Sequence, residues 1–316
     1  MLGFNPLSEI IIQDDFDSGL NGWINLAPNF REDKMDYYPS LKWLTDWGPP
    51  MLSSATFGFA GTHGSLHGTY SMKIGTRPKA GRADELPKPG SMGHAIKRLT
   101  FSKKQLIKCE MWYAYKPEHD RPGIGEDDVR AFGFFWDVQD EEIRSHYGAR
   151  YLNSADGTPQ RRWQVFGPSG GEEEEWGDMR ETAPAGSTGD ERKNRPVRLE
   201  WGIDPQWNGR RYSNGSGDGF VDIPDSEQQL CYNETADKIN WHYFSFTIDV
   251  EAREYIELQS VNRVFDLRGI QPFLVDAYPR VNYLLNPAVW VEADTDRRAF
   301  FYVDSITIST GSRTEL

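Results

Sequence analysis

WHYFSFTIDVEAREYIELQSVNRVFDL, residues 241–267, is the stretch whose reading decides the fold. Phe244, Phe246 and Ile248 alternate with Tyr243, Ser245 and Thr247, the two-residue period of a half-buried strand. Asp249 to Glu254 reads as a tight hairpin turn, and Asn262-Arg263 as a second short turn before Val264 to Leu267. Strand, turn, strand, turn, strand is a meander. It favours an antiparallel sandwich over any fold in which helices cross between parallel strands.

Working outward, strand signals recur at residues 70–74, 106–115, 130–139, 162–166, 197–203, 290–292 and 299–308, and helix signals are scarce. Asp14-Asp15-Phe16-Asp17 near the start and Phe301 to Ile308 near the end both read as strand. First and last strands of a sandwich often lie side by side, so the two ends are expected to meet. The 316 residues then form one domain, 1–316, decorated by long loops at about 25–68, 167–196 and 204–229. Thirty Gly and 19 Pro agree with so many turns. Eleven Trp, 14 Tyr and 17 Phe are enough for a large core with rings left over for a ligand surface.

The formal charge of -13 excludes a polyanion partner such as nucleic acid, which needs clustered Lys and Arg. No stretch approaches the roughly 20 apolar residues of a membrane span. The first dozen residues carry no basic start or cleavage site, so the chain as given reads as cytoplasmic. Cys109 lies in a strand-like run and is expected to be a buried free thiol. There is no P-loop, dinucleotide fingerprint or Ser-His-Asp signature, and no organic cofactor is expected.

The order of segments, DDFD and GW, then HGTYSMKIGT, then HAIKRLTF with LIKCEMWYAY, then FGFFWDVQD, then the meander, then FYVDSITI, resembles the concanavalin A-like or LamG-like jelly roll. That superfamily includes lectins, carbohydrate-binding modules, glycoside hydrolases and polysaccharide lyases. The resemblance covers most of the chain. It implies an all-β antiparallel sandwich and a carbohydrate ligand. It also implies a structural Ca²⁺ between an Asp of the last strand, matched by Asp304, and Asp15 or Asp17 of the first. The chain departs from the β-glucanase branch, whose Glu-x-Asp-x-x-Glu is replaced by Phe135-Trp136-Asp137-Val138-Gln139-Asp140-Glu141.

Parity along residues 131–139 puts Phe132, Phe134, Trp136 and Val138 on the core face. Ala131, Gly133, Phe135, Asp137 and Gln139 fall on the other. The same reading turns Arg162, Gln164, Arg198, Glu200 and Tyr243 outward. If these strands are neighbours, their polar groups converge on one sugar-binding face. Carboxylates one or two strands apart lie within the roughly 5–9.5 Å that glycoside cleavage uses, so Asp137 and Glu200 are the candidate acid and base. Sugar binding also needs flat rings for C–H faces, which the loop residues Trp43, Trp47, Trp176 and Trp207 can supply. Two functions stay open: a glycoside-cleaving or -modifying enzyme, and a non-catalytic sugar-binding protein.

Overall fold

The computed structural model describes residues 3–24, 50–54, 64–76, 92–118, 125–167, 220–231, 240–277 and 281–316. In chain order its strands are β1 (Glu9–Asp14), β2 (Met51–Ser53), β3 (Ser71–Gly75), β4 (Met92–Ile96), β5 (Leu99–Thr100), β6 (Leu106–Pro117), β7 (Val129–Gln139) and β8 (Ile143–Ala155). They continue as β9 (Thr158–Phe166), β10 (Phe220–Glu227), β11 (His242–Asp249), β12 (Glu254–Ser260), β13 (Arg263–Asp266), β14 (Phe273–Asp276), β15 (Leu284–Ala293) and β16 (Ala299–Gly311). The only helical pieces among the described residues are two short 3-10 turns.

The strands form two antiparallel sheets of eight. The first runs β13-β12-β11-β6-β16-β3-β2, with β1 also on β16. The second runs β10-β9-β8-β7-β15-β4, with β14 on β8 and β5 on β15. The order β6-β16-β3 in the first sheet recurs as β7-β15-β4 in the second. The chain therefore wraps from one layer to the other along three neighbouring strands, which is a jelly roll. The chain ends meet as expected, with Glu9 opposite Thr310 and Asp14 opposite Ile306. The meander is also as read: β11 pairs β12, and β12 pairs β13.

The core lies between the layers and is largely aromatic. Phe132, Phe134, Trp136 and Val138 of β7 meet Phe244, Phe246 and Ile248 of β11, all fully or almost fully buried. Phe134 stacks on Phe244 at 4.4 Å, and Phe132 on Phe301 at 5.1 Å. Each such ring contributes about 1.5–3 kcal/mol by leaving water, which fixes which face of each strand points inward. Cys109 is a buried free thiol within this core.

The sequence reading missed β8 entirely and placed β2 and β10 inside loops. Strand 8 is buried on both faces, so it lacks a clean apolar and polar alternation. Asp156-Gly157, which joins β8 to β9, does carry a hairpin signature. Both residues have positive φ, 53° and 73°. The expected strand at 197–203 and the loop at 167–196 lie outside the described residues, apart from Gly167.

Candidate functional site

Since β7 buries its even-numbered rings, Ala131, Gly133, Phe135, Asp137 and Gln139 face outward on the second sheet. Register then decides their neighbours. Gly133 lies opposite Trp290 of β15 and Arg150 of β8, and Arg150 opposite Gln164 of β9. Phe135 lies between Ala288 and Gly148, and Asp137 between Asn286 and His146. Phe273 of β14 continues the row beyond His146. A second apolar cluster floors this face, including Phe135, Phe166, Phe220, Ala288 and Trp290. Gly133 permits the close approach of β8: a Cβ there would come within 2.2 Å of the Ala149 carbonyl oxygen.

Asp137 is the centre of the polar part. Arg144 grips it at both oxygens, Nε donating to Oδ1 at 2.5 Å and Nη2 to Oδ2 at 2.9 Å. Asn286 Nδ2 donates to Oδ2 at 2.9 Å, and His146 Nε2 lies 3.6 Å from Oδ1. Burial alone would raise the carboxyl's pKa. The adjacent His146 and the Arg144 guanidinium outweigh it and hold the group well below the usual range. Asp137 is therefore an ionised carboxylate with both oxygens occupied, suited to orient a neighbouring group and unsuited to donate a proton.

A second network flanks it. Arg150 Nε donates to Gln164 Oε1 at 2.6 Å, and Gln164 Nε2 donates to Asp222 Oδ1 at 2.5 Å. Arg162 Nε lies 3.0 Å from Asp222 Oδ1, and the Arg150 guanidinium sits over the Phe220 ring at 4.2 Å. The Gln139 side chain donates to the Val281 carbonyl.

Among the described residues, the buried atoms His146 Nε2, Asn286 Oδ1 and Trp290 Nε1 on this face have no hydrogen-bond partner. Their residues are only 2%, 8% and 3% exposed. A buried donor or acceptor left unmatched costs about 1–3 kcal/mol.

The profile of a family described as a domain of unknown function, DUF6772, matches residues 1–312. The chain belongs to that family. No curated protein matches it. Among solved structures, the carbohydrate recognition domain of Emp47p is similar at 11% identity and a TM-score of 0.36, over 84% of this chain and 96% of that one. The alginate lyase vAL-1 from Chlorella virus is similar at 12% identity and a TM-score of 0.35, over 89% and 97%. Lectin I-B4 from Griffonia simplicifolia, in metal-free form, is similar at 8% identity and a TM-score of 0.32, over 82% and 92%.

The structure brings Asp137, Gln139, Arg162 and Gln164 to one face, as their parity predicts. Tyr243 is a correction. It belongs to β11 in the first sheet and points away from the core on the opposite side of the molecule. There its hydroxyl donates to Glu110 Oε1 at 2.5 Å. Parity assigns a residue to a face of its own strand but does not say which layer that strand joins. Glu200, Arg198, Trp43, Trp47, Trp176 and Trp207 lie outside the described residues. Arg144, His146, Arg150 and Asn286 were missed. Alternation with Tyr147, Ala149 and Tyr151 would have turned the first three outward once β8 was recognised.

The residues expected to hold Ca²⁺ do not fit that ion. Asp17 Oδ1 accepts the backbone N–H groups of Thr69 and Tyr70 at 2.6 and 3.0 Å. Asp304 Oδ1 accepts that of Leu66 at 3.2 Å, and Ser305 Oγ donates to Oδ2 at 3.1 Å. Asp15 Oδ1 accepts the Asp17 N–H. Asp17 and Asp304 cap the turn at residues 64–70, and all three carboxylates face N–H donors where a hard cation requires oxygens. Among the described residues no cluster of three or more His, Cys, Asp or Glu could hold a metal. An open depression between β10 and β13, lined by Asp225, Arg263 and Asp266, is also unsuited to a ligand. Its Arg263 is spent on the carbonyl groups of Asp225 and Glu227.

Proposed function

We propose that the protein is carbohydrate-active and that it binds its sugar on the outer face of the second sheet, over β15, β7 and β8. The observation that supports this reading is the set of three unmatched polar atoms. Trp290 Nε1 can only donate, Asn286 Oδ1 can only accept, and His146 Nε2 does either according to its tautomer. A hydroxyl group both donates and accepts, so a polyhydroxylated ligand satisfies all three. The apolar floor of Phe135, Ala288 and Trp290 complements the C–H faces of sugar rings. Screening against a panel of soluble sugars tests the reading. Binding that Asn286→Ala weakens severalfold is the expected result; no binding to any sugar contradicts it.

The second reading is cleavage or modification of a glycoside at the same face. Its support is the ionised Asp137 with His146 beside it, a carboxylate and imidazole pair of the kind used in proton transfer. In this reading Asp137, held by Arg144 and Asn286, orients His146 as the base, and Glu200 serves as acid. Asp137→Asn and Glu200→Gln should abolish turnover and keep binding, with circular dichroism confirming the fold. Turnover unchanged in both variants would remove these two residues from the mechanism.

A further inference from the structure

We infer that the outer face of the first sheet, over β11, β6 and β16, is a groove for a short peptide held by its main chain, and that residues 3–8 of this chain are its resident ligand. The groove lies on the other layer from the proposed sugar face and does not depend on that reading. Cys109, Met111 and Tyr113 enter the core, so Lys108, Glu110 and Trp112 of β6 face outward. Ile306 and Ile308 likewise turn Thr307 and Ser309 of β16 outward. Register places Thr307 opposite Glu110, Ser309 opposite Lys108, and Tyr243 of β11 opposite Trp112.

Residues 3–8 meet these strands in order. The Phe4 ring lies 6.3 Å from that of Tyr243. Asn5 N–H donates to Glu110 Oε1 at 2.7 Å, and Lys108 Nζ donates to the Asn5 carbonyl at 2.8 Å. Leu7 N–H donates to Ser309 Oγ at 3.0 Å, while its side chain is buried with Leu106 and Ile256. Ser8 N–H donates to Glu315 Oε2 at 2.7 Å. In each of these main-chain bonds the other side is a side chain of the folded domain. That is how a peptide is gripped in a groove, with Leu7 as the one anchor in a pocket. The segment precedes β1 and takes part in no strand pairing, and Gly3, Asn5, Pro6 and Ser8 are exposed. It can therefore lift away without breaking a sheet ladder. Nor does it exhaust the groove: among the described residues, the buried atoms Glu110 Oε2 and Thr307 Oγ1 have no hydrogen-bond partner.

Titration of the full chain and of its Leu7→Asp variant with a fluorescein-labelled peptide of residues 3–8 tests this, with circular dichroism reporting the fold. Leu7→Asp puts a charge into the apolar pocket and releases the resident segment. The expected result is saturable binding to the variant and at least about tenfold weaker binding to the parent, whose tethered segment competes at an effective concentration of about millimolar. Leu7→Ala in the peptide should weaken binding about tenfold, through the apolar area it no longer buries. No binding to the folded variant, equal binding to variant and parent, or binding indifferent to Leu7→Ala in the peptide overturns the inference. If Leu7→Asp does not fold, hydrogen exchange on the parent decides. The Asn5 and Leu7 N–H groups should exchange at least about tenfold faster than those of β16, by local lifting of the segment. Exchange of these groups only together with β16 overturns the inference.

Discussion

Both oxygens of Asp137 are taken, one by Arg144 Nε and the other by Arg144 Nη2 and Asn286 Nδ2. Neither partner of this ion pair has much access to water, at 2% and 7% side-chain exposure. Removing one charge strands the other, and breaking such a pair costs about 3 kcal/mol or more. Asp137→Asn should therefore lower stability by about 3 kcal/mol in denaturant melts, and a change below about 1 kcal/mol would contradict the geometry. The pH dependence has a definite sign. Asp137 is held below its unfolded value, so its contribution is complete above about pH 4, the usual carboxylate pKa, and is lost as pH falls toward its lower folded value. Asp304 behaves in the opposite way. Burial pushes its carboxyl up to about 6 despite the hydroxyl of Ser305 and the turn N–H groups. Its contribution is complete below about pH 4 and is lost as pH rises through about 6. The melting temperature difference between Asp304→Asn and the parent should thus change between about pH 4 and about pH 6 and be flat above; a difference independent of pH would contradict this.

The hairpin between β8 and β9 carries the strand that supplies Arg144, His146 and Arg150 to the site. Asp156 and Gly157 hold the two positive φ angles that its tight turn requires. Asp294 accepts both turn N–H groups, at 3.1 and 2.7 Å, as well as Ser154 Oγ at 2.9 Å. Gly157→Ala should cost about 1 kcal/mol, because an L side chain resists this backbone region, and a neutral result would contradict the turn geometry. Legibility in the sequence divides along the same line. Strand 7 was readable because four large apolar residues alternate with small and polar ones. The meander was readable because its turns are short. Strand 8 was not, because Tyr147, Ala149 and Tyr151 enter the core while Gly148 and Phe166 pack on its other side, leaving both faces covered. Tyr243 was assigned the right orientation on its strand and the wrong layer, since layer membership depends on long-range pairing that local alternation does not encode.

For the whole molecule, the closing contact is between β1 and β16. Strand 1 covers Ile306 to Thr310 of the last strand, and just before it Leu7 N–H donates to Ser309 Oγ at 3.0 Å. At its end Asp14 accepts hydrogen bonds from Trp23 Nε1 at 2.8 Å and Lys97 Nζ at 2.7 Å, so this strand also tethers the second layer through the lysine beside β4. Deleting residues 1–14 uncovers the edge of β16 and leaves Lys97 without this carboxylate. A bare sheet edge is a template for association. Relative to the full chain, the deletion should lower the melting temperature by several degrees and shift the size-exclusion profile toward larger species with concentration. An unchanged melt and profile would contradict the role given to β1. The same two-layer frame fixes the candidate site: outward positions of β15, β7, β8 and β9 share that face. A crystal structure with the tightest-binding oligosaccharide measures this directly. The account predicts sugar on the outer face of the second sheet, over β15, β7 and β8, with an oxygen within hydrogen-bond distance of Asn286 Oδ1. Sugar bound on the first sheet beside Tyr243, with the outer face of the second sheet empty of it, would contradict it.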